Sequence, residues 1–286
     1  MKQITIISGK GGTGKTSITS ALASLISNAV FADCDVDASD LHLIMEPEIV
    51  KEEHFPGSKK VQIDPEECIR CGLCRSLCHF DAVDLTDHVY SVRELACEAC
   101  DLCRKACPVD AIYIKPSTGS RWYVGETRFG EMVYAKLGIG EELSGKLVAR
   151  VRDEAKALAK EKGRDLILID GPPGIGCAVI ASITGVDEVL VVTEPTMSGL
   201  HDLERVVALA KQFNAKPLVL LNKYDLNDEM SDKIERYCSE NEIEMAGKLP
   251  YDPIFTEAMV NRKSVIEYAP DSKVSKVISS IVKKLI

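Results

Sequence analysis

Short, unbroken apolar runs alternate with stretches of helical spacing over most of this chain, and the alternation fails in one interior segment. Ile4-Thr5-Ile6-Ile7 stops at a glycine-rich stretch, and Ser17 to Leu25 then reads as a helix. Ala29-Val30-Phe31-Ala32 leads into Asp33-Cys34-Asp35 as a second buried strand ending in acids. The pattern breaks near Pro56-Gly57 and resumes after Lys115-Pro116. Ser144 to Glu161 then predicts a long charged helix, and Asp165 to Asp170 a strand running into Gly171-Pro172-Pro173-Gly174. Val189 to Val192 and Leu218 to Leu221 read as further strands, with Leu200, Leu203, Val206, Val207 and Ala210 at helical spacing between them. Strands alternating with helices predict an α/β fold, a mostly parallel sheet flanked by helices. The expected domains are 1–59 and 116–286, forming one unit, with 60–115 inserted.

The inserted segment carries short β-like pieces, little helical periodicity and two matching cysteine runs. The first is Cys68, Cys71, Cys74 and Cys78; the second is Cys97, Cys100, Cys103 and Cys107, followed by Pro108. Both read C-x2-C-x2-C-x3-C, the ligand run of a bacterial ferredoxin with two [4Fe–4S] clusters, in which the fourth cysteine of each run serves the other cluster. The insert is thus expected to be an α+β ferredoxin domain. Cys68, Cys71, Cys74 and Cys107 would hold one cluster, and Cys97, Cys100, Cys103 and Cys78 the other. The runs lie 29 positions apart (Cys68 against Cys97), and Asp81-Ala82-Val83 matches Asp110-Ala111-Ile112. Zinc is the competing reading, but four-cysteine zinc sites usually combine two separated C-x2-C pairs. His79 follows Cys78 where ferredoxins usually have proline; a surface or packing role is its default.

Gly9-Lys10-Gly11-Gly12-Thr13-Gly14-Lys15-Thr16 fits G-x-x-x-x-G-K-[ST] between a strand and a helix, the context that gives this motif its meaning. Its backbone N–H groups and the following helix N-terminus would cradle phosphates. Lys15 would reach the β- and γ-phosphates, and Thr16 would hold Mg²⁺. Asp35 and Asp170 end strands where α/β sheets bind ligands. Asp33 and Asp37 rival Asp35, with a solvated acidic loop as their plain alternative.

Lys10, a second lysine inside the loop, makes KGGTGKT closely resemble the deviant phosphate loop of the MinD/ParA/Mrp and nitrogenase iron-protein superfamily. The resemblance implies a nucleotide set of Gly9, Lys10, Gly11, Gly12, Thr13, Gly14, Lys15, Thr16 and Ser17. It implies that Lys10 reaches the nucleotide of a partner subunit in an ATP-sandwiched dimer. It makes Asp35 the switch I carboxylate and Asp170, opening DGPPG, the switch II aspartate. With Lys10 and Lys15 they would form the catalytic set, and with Thr16 the Mg²⁺ set. Asn222-Lys223-Tyr224-Asp225 resembles the family's base-contacting segment, which favours ATP, although N-K-x-D is a guanine signature elsewhere. Leu249-Pro250-Tyr251-Asp252 resembles a segment closing over the base, so Pro250 and Asp252 join the nucleotide set; a plain loop-breaking proline is the alternative.

Cys34 lies between two acids, and Cys177 follows DGPPGIG at the offset of a cluster-bridging cysteine in the nitrogenase iron protein. The second cysteine of that bridge has no counterpart, so Cys177 is expected to be a small buried packing residue. Cys238 receives no role. Val274, Val277, Ile278, Ile281, Val282 and Leu285 form an apolar helical face with Lys273, Lys276, Lys283 and Lys284 off it. MinD-type proteins end in a basic amphipathic membrane helix, but packing against the sheet is the favoured reading here.

The chain has 286 residues, 45% hydrophobic and 28% charged, with a net charge of −9. That length allows one large and one small domain. The acidic balance argues against nucleic acid, since no basic excess exists to displace counterions. No apolar stretch reaches membrane-span length, and the N-terminus reads as a buried strand rather than a signal peptide. Eleven cysteines beside nucleotide chemistry point to metal ligation in a reducing cytoplasm rather than disulfides. The resemblance implies an ATP-hydrolysing protein with ATP, Mg²⁺ and two [4Fe–4S] clusters. Its expected partners are a second copy or a paralogous ATPase, and an acceptor metalloprotein or redox protein. Three roles follow: assembly or delivery of a metal cofactor, then ATP-gated electron donation, then positioning of the MinD kind.

Overall fold

The computed structural model describes the chain except residues 57–58, 139–140 and 142–143 and the side chain of Ser144. Gly57, where the sequence pattern breaks, therefore lies outside the described residues. The chain forms two compact units.

The first unit comprises Met1–Glu53, Trp122–Lys136 and Ser144–Ile286. Its nine-stranded sheet runs, edge to edge, β13 (Glu244–Leu249), β12 (Lys216–Asn222), β11 (Glu188–Thr193), β1 (Lys2–Ser8), β10 (Leu166–Pro173), β2 (Ala29–Asp33), β9 (Gly130–Lys136), β8 (Arg121–Thr127) and β3 (Glu48–His54). Every pairing from β13 through β9 is parallel. The mostly parallel sheet flanked by helices is therefore the architecture the apolar runs predict. β2 is buried throughout, and β1 from Ile4 onward, as strands covered on both faces must be. The sequence pattern did not foresee β8 and β9, joined at Arg128-Phe129, or β3, whose residues Glu48–His54 are all exposed.

Helix α1 (Lys15–Ala23) starts ahead of the expected Ser17 because Gly14 takes a left-handed φ of 90° as its N-cap. α2 (Leu41–Met45) follows the loop after β2. α5 (Ser144–Lys162) packs on β2, β9 and α6 (Cys177–Ile183), and α7 (Met197–Gln212) on β11 and β12. α8 (Asp228–Glu240), α9 (Ile254–Val260) and α10 (Val265–Tyr268) lead to the last helix, α11 (Lys273–Leu285). Val274, Ile278, Ile281 and Leu285 of α11 are fully buried in the cluster that also holds Ile4, Ile18 and Leu220. Fully burying a Val, Leu or Ile side chain contributes about 1.5–3 kcal/mol, so the apolar face of α11 is committed to the core. Among the described residues no helix is long and apolar enough to cross a membrane.

The second unit comprises His54–Arg121 and Leu137–Leu143. It holds two antiparallel pairs, β4 (Lys59–Ile63) with β7 (Ile112–Pro116) and β5 (Val83–Thr86) with β6 (Val89–Val92). The short helices α3 (Leu73–Ser76) and α4 (Leu102–Ala106) complete it. The sequence repeat is also a backbone repeat. Arg70 and Ala99 have φ of 60° and 48°, Gly72 and Asp101 78° and 71°, and Asp81 and Asp110 47° and 52°. Such left-handed residues turn the chain tightly within each run.

Candidate functional sites

The phosphate loop leaves β1 and enters α1 at Gly14, where a Cβ would stand 2.8 Å from Asn222 Nδ2. No side chain caps α1, so the N–H groups of its first turn stay available for an anion. The loop forms one wall of a cavity of about 520 Å³, a volume typical of small-ligand sites. Gly11, Gly12, Gly14, Lys15, Thr16 and Ser17 line it from the loop side, and Asp35, Asp37 and Asp40 from the β2–α2 connection. Pro250, Tyr251, Asp252, Phe255 and Met259 close the far side, with Asn222 and Lys223 at the end of β12.

The catalytic candidates converge. Lys15 Nζ lies 3.6 Å from Asp35 Oδ2. Asp170 is fully buried in the C-terminal half of β10, beside Asp33 in the adjacent strand register. It accepts hydrogen bonds from Thr16 Oγ1 and Thr19 Oγ1, each at 2.8 Å. Burial pushes the Asp170 carboxyl up to about 6, against the opposing influence of Lys15 and the two hydroxyls. Burial likewise raises Asp35, despite the nearby Lys15. Thr16 and Asp170 therefore present adjacent oxygens in a region where a divalent cation would relieve a real electrostatic cost. These oxygen donors suit Mg²⁺.

Two expectations need correcting, those for Asp33 and Cys177. Asp33 is no solvated acid: it is fully buried and accepts from Asp35 N (3.1 Å), Ser39 Oγ (2.8 Å) and Leu41 N (3.3 Å). It shapes the loop that carries Asp35, and burial and Asp170 raise its carboxyl well above the usual range. Asp37 is exposed on the cavity wall. Gly9, Lys10 and Thr13 fall outside the cavity lining. Lys10 pairs with Glu194 at 2.5 Å. Asn222 Nδ2 donates to the Thr13 carbonyl at 2.8 Å, bracing the loop, while Asn222 Oδ1 accepts from Lys223 N at 3.0 Å. Lys223 Nζ meets Glu194 Oε2 at 3.2 Å. Asp252 Oδ1 accepts from Ile254 N at 3.0 Å. Cys177 is exposed rather than buried, whereas Cys34 and Cys238 are buried, and burial pushes both of those thiols up.

Sequence reasoning missed Glu194, Thr19, Phe255 and Met259. Glu194 was within reach of the rule that singled out Asp35 and Asp170, an acid just past the C-terminal end of a parallel strand. Burial works to raise its carboxyl, but Lys10 and Lys223 hold it below the ordinary range.

In the second unit the eight run cysteines divide between two cavities. Cys68, Cys71, Cys74 and Cys107 line one. Cys78, Cys97, Cys100 and Cys103 line the other. The division gives each cavity three thiols from one run and the fourth from the other. Among the described residues no three His, Cys, Asp or Glu side chains are grouped so as to hold a single metal ion. Four soft donors spread around a cavity form a donor set that fits a polynuclear iron–sulfur group.

The parallel sheet, the phosphate loop at its C-terminal edge and the convergent Lys15, Thr16 and Asp170 define a P-loop nucleotide-binding ATPase fold. The family model of the CobQ/CobB/MinD/ParA nucleotide binding domain matches residues 4–265, and the chain belongs to that family. An uncharacterized protein of Methanocaldococcus jannaschii, MJ0578, is 39% identical over 230 residues, 79% of each chain. A second from that organism, MJ0579, is 25% identical over 274 residues, 94% of this chain and 93% of its own. Among solved structures, the septum site-determining protein MinD of Pyrococcus horikoshii OT3, complexed with Mg-ADP, shares the fold. Its TM-score is 0.59 at 20% identity, covering 99% of this chain and 95% of that one.

Proposed function

We propose that this protein is an ATP-hydrolysing iron–sulfur protein whose nucleotide-switched dimer serves assembly or delivery of an iron–sulfur or other metal cofactor. The observation that carries this reading is the division of eight thiols into two four-thiol cavities, in a chain that also holds a nucleotide cavity. Lys15 and the N–H groups opening α1 neutralise the phosphates. Thr16 and Asp170 hold Mg²⁺, with Asp35 near enough to Lys15 to orient the attacking water. When bound, Mg²⁺ offsets the charge developing on the transferred phosphoryl group. Asn222, Lys223, Pro250 and Asp252 form the base end, walled by Tyr251 and Phe255. Lys10, outside its own cavity, is the side chain offered to a partner subunit. That partner is a second copy or a paralogous ATPase; two relatives within one organism support the second arrangement. The cysteine sites hold two [4Fe–4S] clusters, which supply one-electron capacity or transferable cargo, and the setting is a reducing cytoplasm.

A second reading, ATP-gated electron donation, draws on the complete four-thiol sets, since full ligation favours retention over release. Positioning of the MinD kind would use α11 as a membrane anchor, and that apolar face is buried in the core. One mixing experiment separates the first two. Reconstituted protein is incubated with MgATP and an apo acceptor that binds [4Fe–4S], and the proteins are then separated. ATP-dependent movement of iron and sulfide to the acceptor is the expected result. Retention of all iron, with ATP-dependent reduction of a holo acceptor, would replace delivery by electron donation. Failure to hydrolyse ATP at all would overturn both.

A further inference from the structure

The two cysteine sites share one backbone and differ in their side chains. The repeat sets Ile69 against Glu98, Arg70 against Ala99 and Gly72 against Asp101. The left-handed residues of the two loops correspond one for one, so the contrast is chemical rather than conformational. Among the described residues, no charged side chain lines the first cavity, whereas Glu98 and Asp101 line the second.

We infer that the two sites differ in reduction potential, and that the site of Cys68, Cys71, Cys74 and Cys107 is reduced first. This rests on the iron–sulfur reading above. A cluster gains negative charge on reduction, so net charge, hydrogen bonds to sulfur and solvent exposure set its potential. Carboxylates beside the second site oppose the incoming electron. Asp101 is partly neutralised by Arg104, whose Nε lies 2.5 Å from its Oδ1, which leaves Glu98 as the stronger influence. Outside the linings the repeat sets Arg70 against Ala99, but also Glu67 against Ala96 and Ser76 against Lys105, so the contrast rests on the cavity walls.

Tyr90 adds to the contrast. It lines only the first cavity, and its hydroxyl lies 3.0 Å from where a Cβ on Gly72 would stand, between Cys71 and Cys74. A phenol can donate to sulfur and so favours the reduced state there. Its counterpart in the repeat, 29 positions earlier on β4, is Val61, an apolar residue that lines the second cavity, so the second site has no phenol there. One interaction works the other way: Ala82 N donates to Cys78 Sγ at 3.3 Å, in the second site. Glu98 and the missing phenol together outweigh that single amide.

The test is an anaerobic dithionite titration followed by EPR, on full-length protein reconstituted with ferrous iron and sulfide. Wild type should show two [4Fe–4S]⁺ signals whose reduction equilibria differ roughly tenfold, about 59 mV for a one-electron couple. Glu98→Gln should raise only the lower potential, and Tyr90→Phe should lower only the higher one. Coincident potentials, or Glu98→Gln acting on the higher one, would overturn the inference while leaving the clusters in place. Absence of any [4Fe–4S] signal would instead remove the iron–sulfur reading itself.

Discussion

Around the nucleotide cavity, Lys15, Thr16, Asp35 and Asp170 are held by strand ends and hydrogen bonds above a core that includes Ile4, Phe31, Leu168 and Leu220, all fully buried. Around the cysteine cavities the buried cluster is Val61, Val83 and Ile112, joined by the thiol of Cys74. The first region is organised by its own apolar interior before any ligand arrives. In the second, cysteines are part of the core, so on the proposed iron–sulfur reading the clusters would also hold the unit together. Small domains with little apolar core commonly depend on metal in this way.

The sharpest way to break this contrast is to withhold iron. Hydrogen exchange on iron-free protein should show the amides of β4, β5, β6 and β7 losing protection, while β1, β2 and β10 keep theirs. Equal protection with and without iron would show that the cysteine unit stands on its own.

Next in size, Lys15→Ala removes the cation that faces Asp35 and the phosphate path. ATP turnover should fall roughly 100-fold or more, the scale for losing a preorganised electrostatic group. Turnover within a few-fold of wild type would remove Lys15 from the site.

Ile281→Ala tests the packed core of the first unit. Denaturant unfolding of that unit should lose about 2–5 kcal/mol. A loss near zero, with gained binding to anionic vesicles, would mean that α11 is not committed to the sheet.

The smallest effect is a pH dependence. The Asp170 carboxyl sits higher when folded, at about 6, than in an unfolded chain. Without Mg²⁺, the folded state holds this proton more tightly. The stabilisation it brings is present below the unfolded pKa and is lost as pH rises through about 6. Mg²⁺ needs the ionised form, so MgATP affinity should rise with pH through the same window, by up to about tenfold per unit. Isothermal titration calorimetry at several pH values reads this directly, and a flat affinity between pH 5 and 7 would exclude Asp170 as a Mg²⁺ group.

Much of this organisation was legible because its physics is local. Unbroken apolar runs marked β1, β2, β10, β11 and β12, and the glycine loop announced itself between a strand and a helix. The cysteine spacing gave the division of thiols that the two cavities display. What escaped depended on tertiary context. β3 reads E-I-V-K-E-E-H and is exposed at every position, so neither alternation nor an apolar run revealed it. Asp33 looked like a loop acid because its burial comes from the neighbouring strand and from Ser39. The ion pair of Lys10 with Glu194 was not legible, because the two lie far apart along the chain. Cys177 was expected to be buried because free cysteines commonly are, yet it opens α6 on the surface.

One chain holds a nucleotide cavity and two interleaved four-thiol cavities. The most direct test is iron and acid-labile sulfide analysis with Mössbauer spectroscopy on anaerobically reconstituted wild type and Cys107→Ala. About eight irons and eight sulfides are expected per wild-type chain. In Cys107→Ala, damage should fall on the cluster of Cys68, Cys71 and Cys74, with the other spectrally unchanged. Zinc without labile sulfide, or Cys107→Ala damage confined to the cluster of Cys97, Cys100 and Cys103, would contradict interleaved cluster ligation.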